Sequence, residues 1–448
     1  MTGAPDRPKC WLRCLGYLVL ALAAACPRPS QAQTTLTIAT VNNTDQVRMQ
    51  RLSSNFMKEH PDIRLNWVVL EENLLRAKTT ADITTGSGQY DVMTIGPLEA
   101  PIWGSRGWLL QLDDKLAPGY DLEDILKPVR SGLSSGNRLY ALPFTAESSL
   151  TFYRQDLFLK AGLKMPSQPT YDDIRRFAAV LNDPKAHVYG VCLRGKPGWG
   201  ENMAYIDTLV NTFGGRWFDM HWNPQINTSA WRSAINYYVR LLQDYGPPTA
   251  SSNGFNQNLT LFENGHCAMW VDATTAAGTL FDPRESAVAN NVAVTSAPVA
   301  VTPLGSHLLW TWALAIPSTS RHSAQALEFV QWATSKQYVE LVGETYGWTL
   351  VPPGTRKSTY EQAKYLRAAP FAQLTLDSIL TADPRRATLD PVPYVGIQFV
   401  GIPQFPNIGT QVGQLIAAAV TGLESTDQVL ATSQAVTERV MRRAGYIH

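Results

Sequence analysis

LTIATVNNTDQVRMQRLSSNFMKEHPDIRLNWVVLEENLLRAKTTADITTGSGQYDVMTIG, residues 36–96, reads as three strands with two amphipathic helices between them. Residues 36–41 are a short apolar run bounded by polar residues, which is a strand signal. Thr44 or Asp45 can cap a helix whose Met49, Leu52 and Phe56 share one face, and His60-Pro61 stops it. Ile63, Leu65, Trp67 and Val69 alternate, the period of a second strand. Leu74, Ala77 and Ala81 mark the apolar face of a second helix, ended by Gly86. Residues 90–96 are the third strand. Strands alternating with helices build a parallel sheet with right-handed crossovers. Such sheets bind ligands beyond the carboxyl ends of their strands. That rule points to Asn42 and Asn43 after the first strand, Glu71 and Glu72 after the second, and Gly96 to Glu99 after the third.

Upstream, Arg7, Lys9 and Arg13 precede an apolar run over 14–26, too short to span a bilayer, and Ser30-Gln31-Ala32 has the small-x-small form a signal peptidase reads. Residues 1–32 are therefore read as an export leader, with Gln33 the mature start and the periplasm the destination. Processing as a lipoprotein at Cys26 is a second route, because residues 22–26 loosely resemble a lipobox. Cys10, Cys14 and Cys26 fall in the leader region, leaving Cys192 and Cys267. In an oxidising compartment these two can pair, or they are two buried small hydrophobes; both readings stay open. No Cys/His spacing suggests a metal, and no cofactor motif is present.

Without residues 1–32 the chain keeps 34 basic and 36 acidic residues, a charge of about −2. That balance gives no footprint for nucleic acid or an anionic membrane. About 415 residues exceed one ordinary core, so two or three domains are expected. Thirteen tryptophans supply core rings, and any in a cleft suit the C–H faces of a sugar-like ligand.

Downstream, Thr170 and Asp173 form a capping-box pattern before Ile174, Phe177, Ala178 and Leu181. Trp231, Ile235, Tyr238 and Leu242 share a helix face, as do Ala326, Phe329, Val330 and Ala333. Residues 190–193, 268–271 and 312–316 read as strands, and 412–419 and 430–440 as helices. No low-complexity linker appears, which fits lobes joined by several crossings.

These segments in this order resemble an extracellular solute-binding protein of a bacterial ABC importer, in the maltodextrin-binding-like class and closest to its polyol (mannitol/sorbitol) subgroup. The segments that carry the resemblance are LTIATVNN at 36–43, EHPDIRLNWVVLEEN at 59–73, YDVMTIG at 90–96, ESSLTFYRQDLF at 147–158, GVCLRGKPGWGEN at 190–202, SSNGFNQNL at 251–259, CAMWVDAT at 267–274 and YGWTLVPPGTR at 346–356. YRQDLF and the helix before HPDI are general to the class; GVCLRGKPGWGEN and MWVDAT carry the subgroup. The resemblance implies an α/β, two-lobed, type II periplasmic-binding fold, each lobe a mainly parallel sheet flanked by helices, with the ligand cleft at the hinge. One lobe would hold 33–143 and 305–352, the other 147–300 and 356–448, with hinge crossings near 143–148, 298–308 and 350–356. It also implies a small neutral polyhydroxylated ligand, a transient permease partner, a monomer and no cofactor.

A polyol needs charged or amide groups that fork onto neighbouring hydroxyls, and an aromatic floor. Arg194, before a Gly-rich turn, can donate to two hydroxyls; a surface salt bridge is the plain alternative. Trp199, between Gly198 and Gly200, is a ring platform or a core ring, with Glu201 and Asn202 beside it. Asp272 ends an apolar strand and can accept from hydroxyls or cap a helix, while Trp270 fits either cleft or core. Glu147 and Ser148 sit at a hinge, and Trp310 and Trp312 share a face at the return crossing. Asn43, Glu72 and Gly96 supply the first-lobe side, and Arg356 and Gln398 are drawn from the last crossing. The rival class is an exported glycoside hydrolase using Glu147 or Glu201 with Asp272. No nucleophile-elbow or phosphate-loop motif accompanies those carboxylates, so a non-enzymatic receptor is the stronger reading.

Overall fold

The computed structural model describes residues 1–4 and 33–448, so the expected leader, its cleavage point and Cys10, Cys14 and Cys26 lie outside the described residues. The strands of two main sheets are β1 (Thr34–Val41), β2 (Ile63–Leu70), β3 (Val92–Ile95), β4 (Leu142–Glu147), β5 (Ser149–Arg154), β6 (Met269–Ala273), β7 (Val292–Ser296) and β8 (Trp310–Ala315). The first sheet runs β2-β1-β3-β8-β4 and the second β6-β5-β7. β1 pairs in parallel with β2 from Thr34↔Ile63 to Val41↔Leu70, and with β3 at Ile38↔Val92. β8 is antiparallel to β3 and β4, with Trp310 opposite Glu147.

The pairing follows from where the chain crosses. It leaves the first sheet at Glu147 and enters the second at Ser149, so Ser148 alone is the crossing. β5 therefore starts at the cleft and runs away from it, whereas β6 and β7 end there, with Ser149 opposite Ala273 and Leu150 opposite Ser296. The second sheet is thus antiparallel in its strands, not mainly parallel as expected. Its parallel pairing is confined to single bridges, such as Tyr189↔Cys267 and Cys192↔Trp270. The expected strand at 190–193 is this bridged segment, and the Cys192–Cys267 disulfide, with Cα atoms 5.9 Å apart, staples it to β6. Closing a 75-residue separation this way stabilises the fold by about 4 kcal/mol in the chain-entropy account.

Most helices bury the faces their spacing predicts. Met49, Leu52 and Phe56 are buried in Thr44–Glu59, and Phe329 of Ser323–Ala333 packs its ring 5.4 Å from Phe56 and 5.8 Å from Trp67. The capping box of Thr170 and Asp173 is formed at the start of Tyr171–Leu181. Two details differ. Asn43, not Thr44 or Asp45, caps the first helix, its Oδ1 accepting from the Gln46 amide at 3.0 Å. The helix Glu72–Thr85 buries Leu75, Thr79 and Ile83 rather than Leu74, Ala77 and Ala81. Leu74 is 45% exposed. Glu71 caps this helix, and its phase turns Glu72 and Arg76, one turn apart, toward the cleft.

The 353–354 segment lies against the strand end before the Ser148 crossing. Ala146 donates to Pro353 O at 2.9 Å, and Gly354, at φ +82°, sits where a Cβ would meet Ala146 O at 2.0 Å. Only glycine fits that approach.

Candidate functional site

The carboxyl ends of β1 and β2 face the 194–201 turn and the first turn of the helix Phe255–Glu263 across a cleft of about 760 Å³, counting its open mouth. Asn43, Glu72, Glu147, Arg194, Trp199, Trp310, Trp312 and Gln398 line it, with Glu201 beside them.

Three tryptophans build one corner around a cation. The Arg76 guanidinium lies 3.9 Å from the Trp199 ring, 4.8 Å from Trp310 and 4.9 Å from Trp312. Its Nη2 donates to Glu72 Oε1 at 2.8 Å and its Nη1 to Glu99 Oε1 at 3.0 Å. Glu99 also accepts from the Gly96 amide at 3.0 Å. Gly96 does not line the cleft; a Cβ there would stand 2.1 Å from Trp310, so its bareness lets that ring lie flat over the strand end.

Arg194 is fixed differently. Its Nε and Nη2 fork onto Asp272 at 2.9 and 2.6 Å, and its Nη1 donates to Gly200 O at 3.0 Å. Asp272 also accepts from the Trp270 indole at 3.1 Å. Asp272 thus holds the arginine rather than facing the main cleft, and it lines a smaller cavity behind. Such a bidentate pair fixes a guanidinium in one plane.

Glu147 is buried at the crossing, and among the described residues its carboxyl has one hydrogen bond, from the Thr145 hydroxyl at 3.4 Å. Burial pushes its carboxyl up to about 8, Arg194 opposing and Asp45, Glu72 and Asp272 adding to the rise. Burial likewise pushes Glu201 up to about 7, with Glu72 and Glu71 raising it further against Arg194 and Lys196. At neutral pH Glu147 is therefore a neutral carboxylic acid. Glu71, Glu72 and Glu201 line the cleft together with Arg76, Arg194 and Lys196. The wall presents charge-assisted donors and acceptors of both signs. The buried Trp310 Nε1 has no protein partner and is a further donor at the cleft.

The two sides touch at the mouth. Lys196 pairs with Glu71, Asn73 Nδ2 donates to Pro197 O at 3.1 Å, Asn256 Nδ2 to Asn42 O at 2.8 Å, and Thr275 Oγ1 to Asp45 Oδ2 at 2.9 Å. These contacts bridge the two sides of the cleft.

Besides Gly96 and Asp272, three more expected ligand contacts lie elsewhere for clear reasons. Trp270 is fully buried among Phe152, Phe255 and Phe262. Asn202 is also fully buried; it accepts from Gly198 and donates to Gly413 O at 2.8 Å, tying the glycine-rich turn to the helix Phe405–Val420. Arg356 bonds Thr334 O, Tyr120 O and Asp124 in a buried knot of the first lobe. Gln398 reaches the cleft but spends its amide on both backbone groups of Leu309. Arg76, Lys196, Phe255, Asn256, Gln257, Thr275 and Leu308 line the cleft without having been expected. Arg76 was legible as the residue one turn after Glu72; Leu308 and Thr275 carried no local signal. Among the described residues no cluster of His, Cys, Asp and Glu is arranged to hold a metal ion.

Residues 41–340 match the family described as bacterial extracellular solute-binding protein. A mannitol-binding protein of Pseudomonas aeruginosa is 55% identical over 428 residues, which are 95% of this chain and 98% of the relative. An ABC transporter solute-binding protein of Agrobacterium vitis S4, solved with bound D-mannitol, is 54% identical and superposes with a TM-score of 0.91, covering 92% of this chain and 99% of its own. A protein of the same description from Agrobacterium radiobacter K84, solved with ribitol, shares the fold at a TM-score of 0.80 and 24% identity, covering 91% and 98%.

Proposed function

We propose that this chain, which belongs to the bacterial extracellular solute-binding proteins, takes a six-carbon alditol of the mannitol kind as the solute it delivers to its ABC importer. The observation that carries the reading is the pairing at the crossing: an uncharged, nearly unpartnered Glu147 beside an unpartnered Trp310 indole, between Arg76 and Arg194. Hydroxyls both donate and accept, so a chain of them satisfies a carboxylic acid, an indole N–H and guanidinium donors in sequence. Arg76 and Arg194 are already paired with Glu99 and Asp272, so neither is an unpaired cation awaiting a charged solute. The 55% and 54% identical proteins that bind mannitol support the same ligand class.

Lobes divided at 33–143 with 305–352, and 147–300 with 356–448, belong to this reading, except that Arg356 is bonded into the first lobe; hinge closure, a periplasmic monomer and transient docking on a permease belong to it as well. Closure is driven by ligand contacts made in the shut state and absent in the open one. The hydrolase alternative needs two carboxylates free to act on a bond. Asp272 is engaged by Arg194, Trp270 and the Ala273 amide, which disfavours it in that role.

Calorimetric titration with D-mannitol, sorbitol, ribitol and glucose tests the proposal. An alditol at a hundredfold its Kd should raise stability by about 2.7 kcal/mol. If glucose binds and every alditol leaves the heat and the melting temperature unmoved, the ligand class is wrong.

A further inference from the structure

Behind the main cleft lies a second, much smaller cavity, with room for a group about the size of one water molecule. The two share Arg194, Ala204 and Leu308 in their walls, so these side chains are the partition between them. Arg194 cannot swing aside, because Asp272 and Gly200 hold its guanidinium. Ala204 contributes only a methyl group. Leu308 is the one bulky apolar side chain in the partition; it is 6% exposed, and its backbone is pinned by a 3.0 Å bond from its amide to Ser149 Oγ.

The rear chamber has the chemistry for a hydroxyl. Ser149 Oγ accepts from Leu308 and keeps its own proton to donate. Thr208 Oγ1 donates to Tyr205 O at 2.7 Å and keeps its lone pairs to accept. Asp272 borders the same space.

We infer that Leu308 is a specificity-determining residue: it closes the cleft at the length of the bound alditol and withholds a rear subsite able to take a further hydroxymethyl group. This rests on the alditol reading of the cleft. Removing the isobutyl group joins the two spaces, and the joined space fits a chain one carbon longer.

The test compares D-mannitol with the seven-carbon alditol perseitol by calorimetry on the parent and on Leu308→Ala. The ratio of the two dissociation constants should move about tenfold toward perseitol, the combined worth of one more buried methylene and one hydrogen bond. A move of less than about threefold, the worth of that methylene on its own, overturns the inference. Leu308→Val keeps the test available if the alanine variant does not fold, and its ratio should move in the same direction; an unmoved ratio overturns the inference as well. In the Leu308→Ala background, Thr208→Val should reverse the gain for perseitol, which a purely structural role for Leu308 would not produce. A gain that survives Thr208→Val places the seventh carbon elsewhere and overturns the rear subsite. If the parent binds mannitol while the ratio is unmoved, Leu308 is wrong and the alditol reading stands. If the parent binds neither, both are overturned.

Discussion

Arg194 and Arg76 face the same cleft from opposite walls, yet only one of them is restrained within its own wall alone. Arg194 is held by charge: Asp272 forks it, Gly200 accepts from it, and the Cys192–Cys267 disulfide fastens the strand segment beneath to β6. All of those groups belong to one wall, so that wall is built before any ligand arrives. Arg76 pairs with Glu72 and Glu99 of its own wall, but the nearest of the rings stacked on it, Trp199, comes from the opposite wall. Its cage is complete only when the cleft is shut. One arginine is therefore a fixture of the fold, and the other reports closure.

The largest expected effect falls on the prebuilt wall. Asp272→Ala leaves the Arg194 cation buried without its partner, and breaking a buried pair this way costs about 3–5 kcal/mol. Urea unfolding of the unliganded protein should show the loss directly. A loss below about 1 kcal/mol, the size of an exposed pair, would place Arg194 in the same class as Arg76 and end the contrast.

A middle-sized effect comes from the crossing between the walls. Burial raises the Glu147 carboxyl from the ordinary 4.5 to about 8 in the folded protein. Its folded form keeps a proton that the unfolded form releases between those values, so stability falls as pH rises from about 5 to 8. Between pH 5 and 7 the fall is about 2–3 kcal/mol, at up to 1.4 kcal/mol per pH unit. Glu201 contributes with the same sign, and His307, whose pKa is lowered by burial, with the opposite one. The difference between the parent and Glu147→Gln isolates the crossing, and the variant's profile should be flatter across that window. Parallel profiles would show that Glu147 is ionised in the fold and that the wall carries an extra negative charge.

What could be read from the chain and what could not divides along similar lines. The capped helices and the stripe of Phe329 and Val330 were plain because one face of each meets a single core. Asn43, Glu72, Glu147, Arg194, Trp199, Trp310, Trp312 and Gln398 were found because strand ends and crossings concentrate at the cleft. The antiparallel second sheet was hidden because strand direction depends on which strand carries the crossing, not on any local pattern. Trp270 and Asp272 are two residues apart on one strand and so lie on the same side; the core takes the ring while the carboxylate turns to Arg194. Arg76 was missed through the phase of its helix: with Leu74 assigned to the core, Arg76 falls on the wrong side.

The smallest effect tests the closing wall. Arg76→Lys keeps the charge but loses the planar face that stacks on Trp199 and the second arm that reaches Glu99. Since the cage needs both walls, the loss belongs to the shut state: alditol affinity should fall by about 1–2 kcal/mol, the worth of a desolvated cation–π contact and part of a charged hydrogen bond. Unliganded stability should change by less than about 1 kcal/mol, because lysine still pairs with Glu72 one turn away. Calorimetry and urea unfolding on the same variant separate the two quantities. Equal losses in both would mean that the tryptophan cage is already shut without ligand, and Arg76 would then be as much a fixture as Arg194.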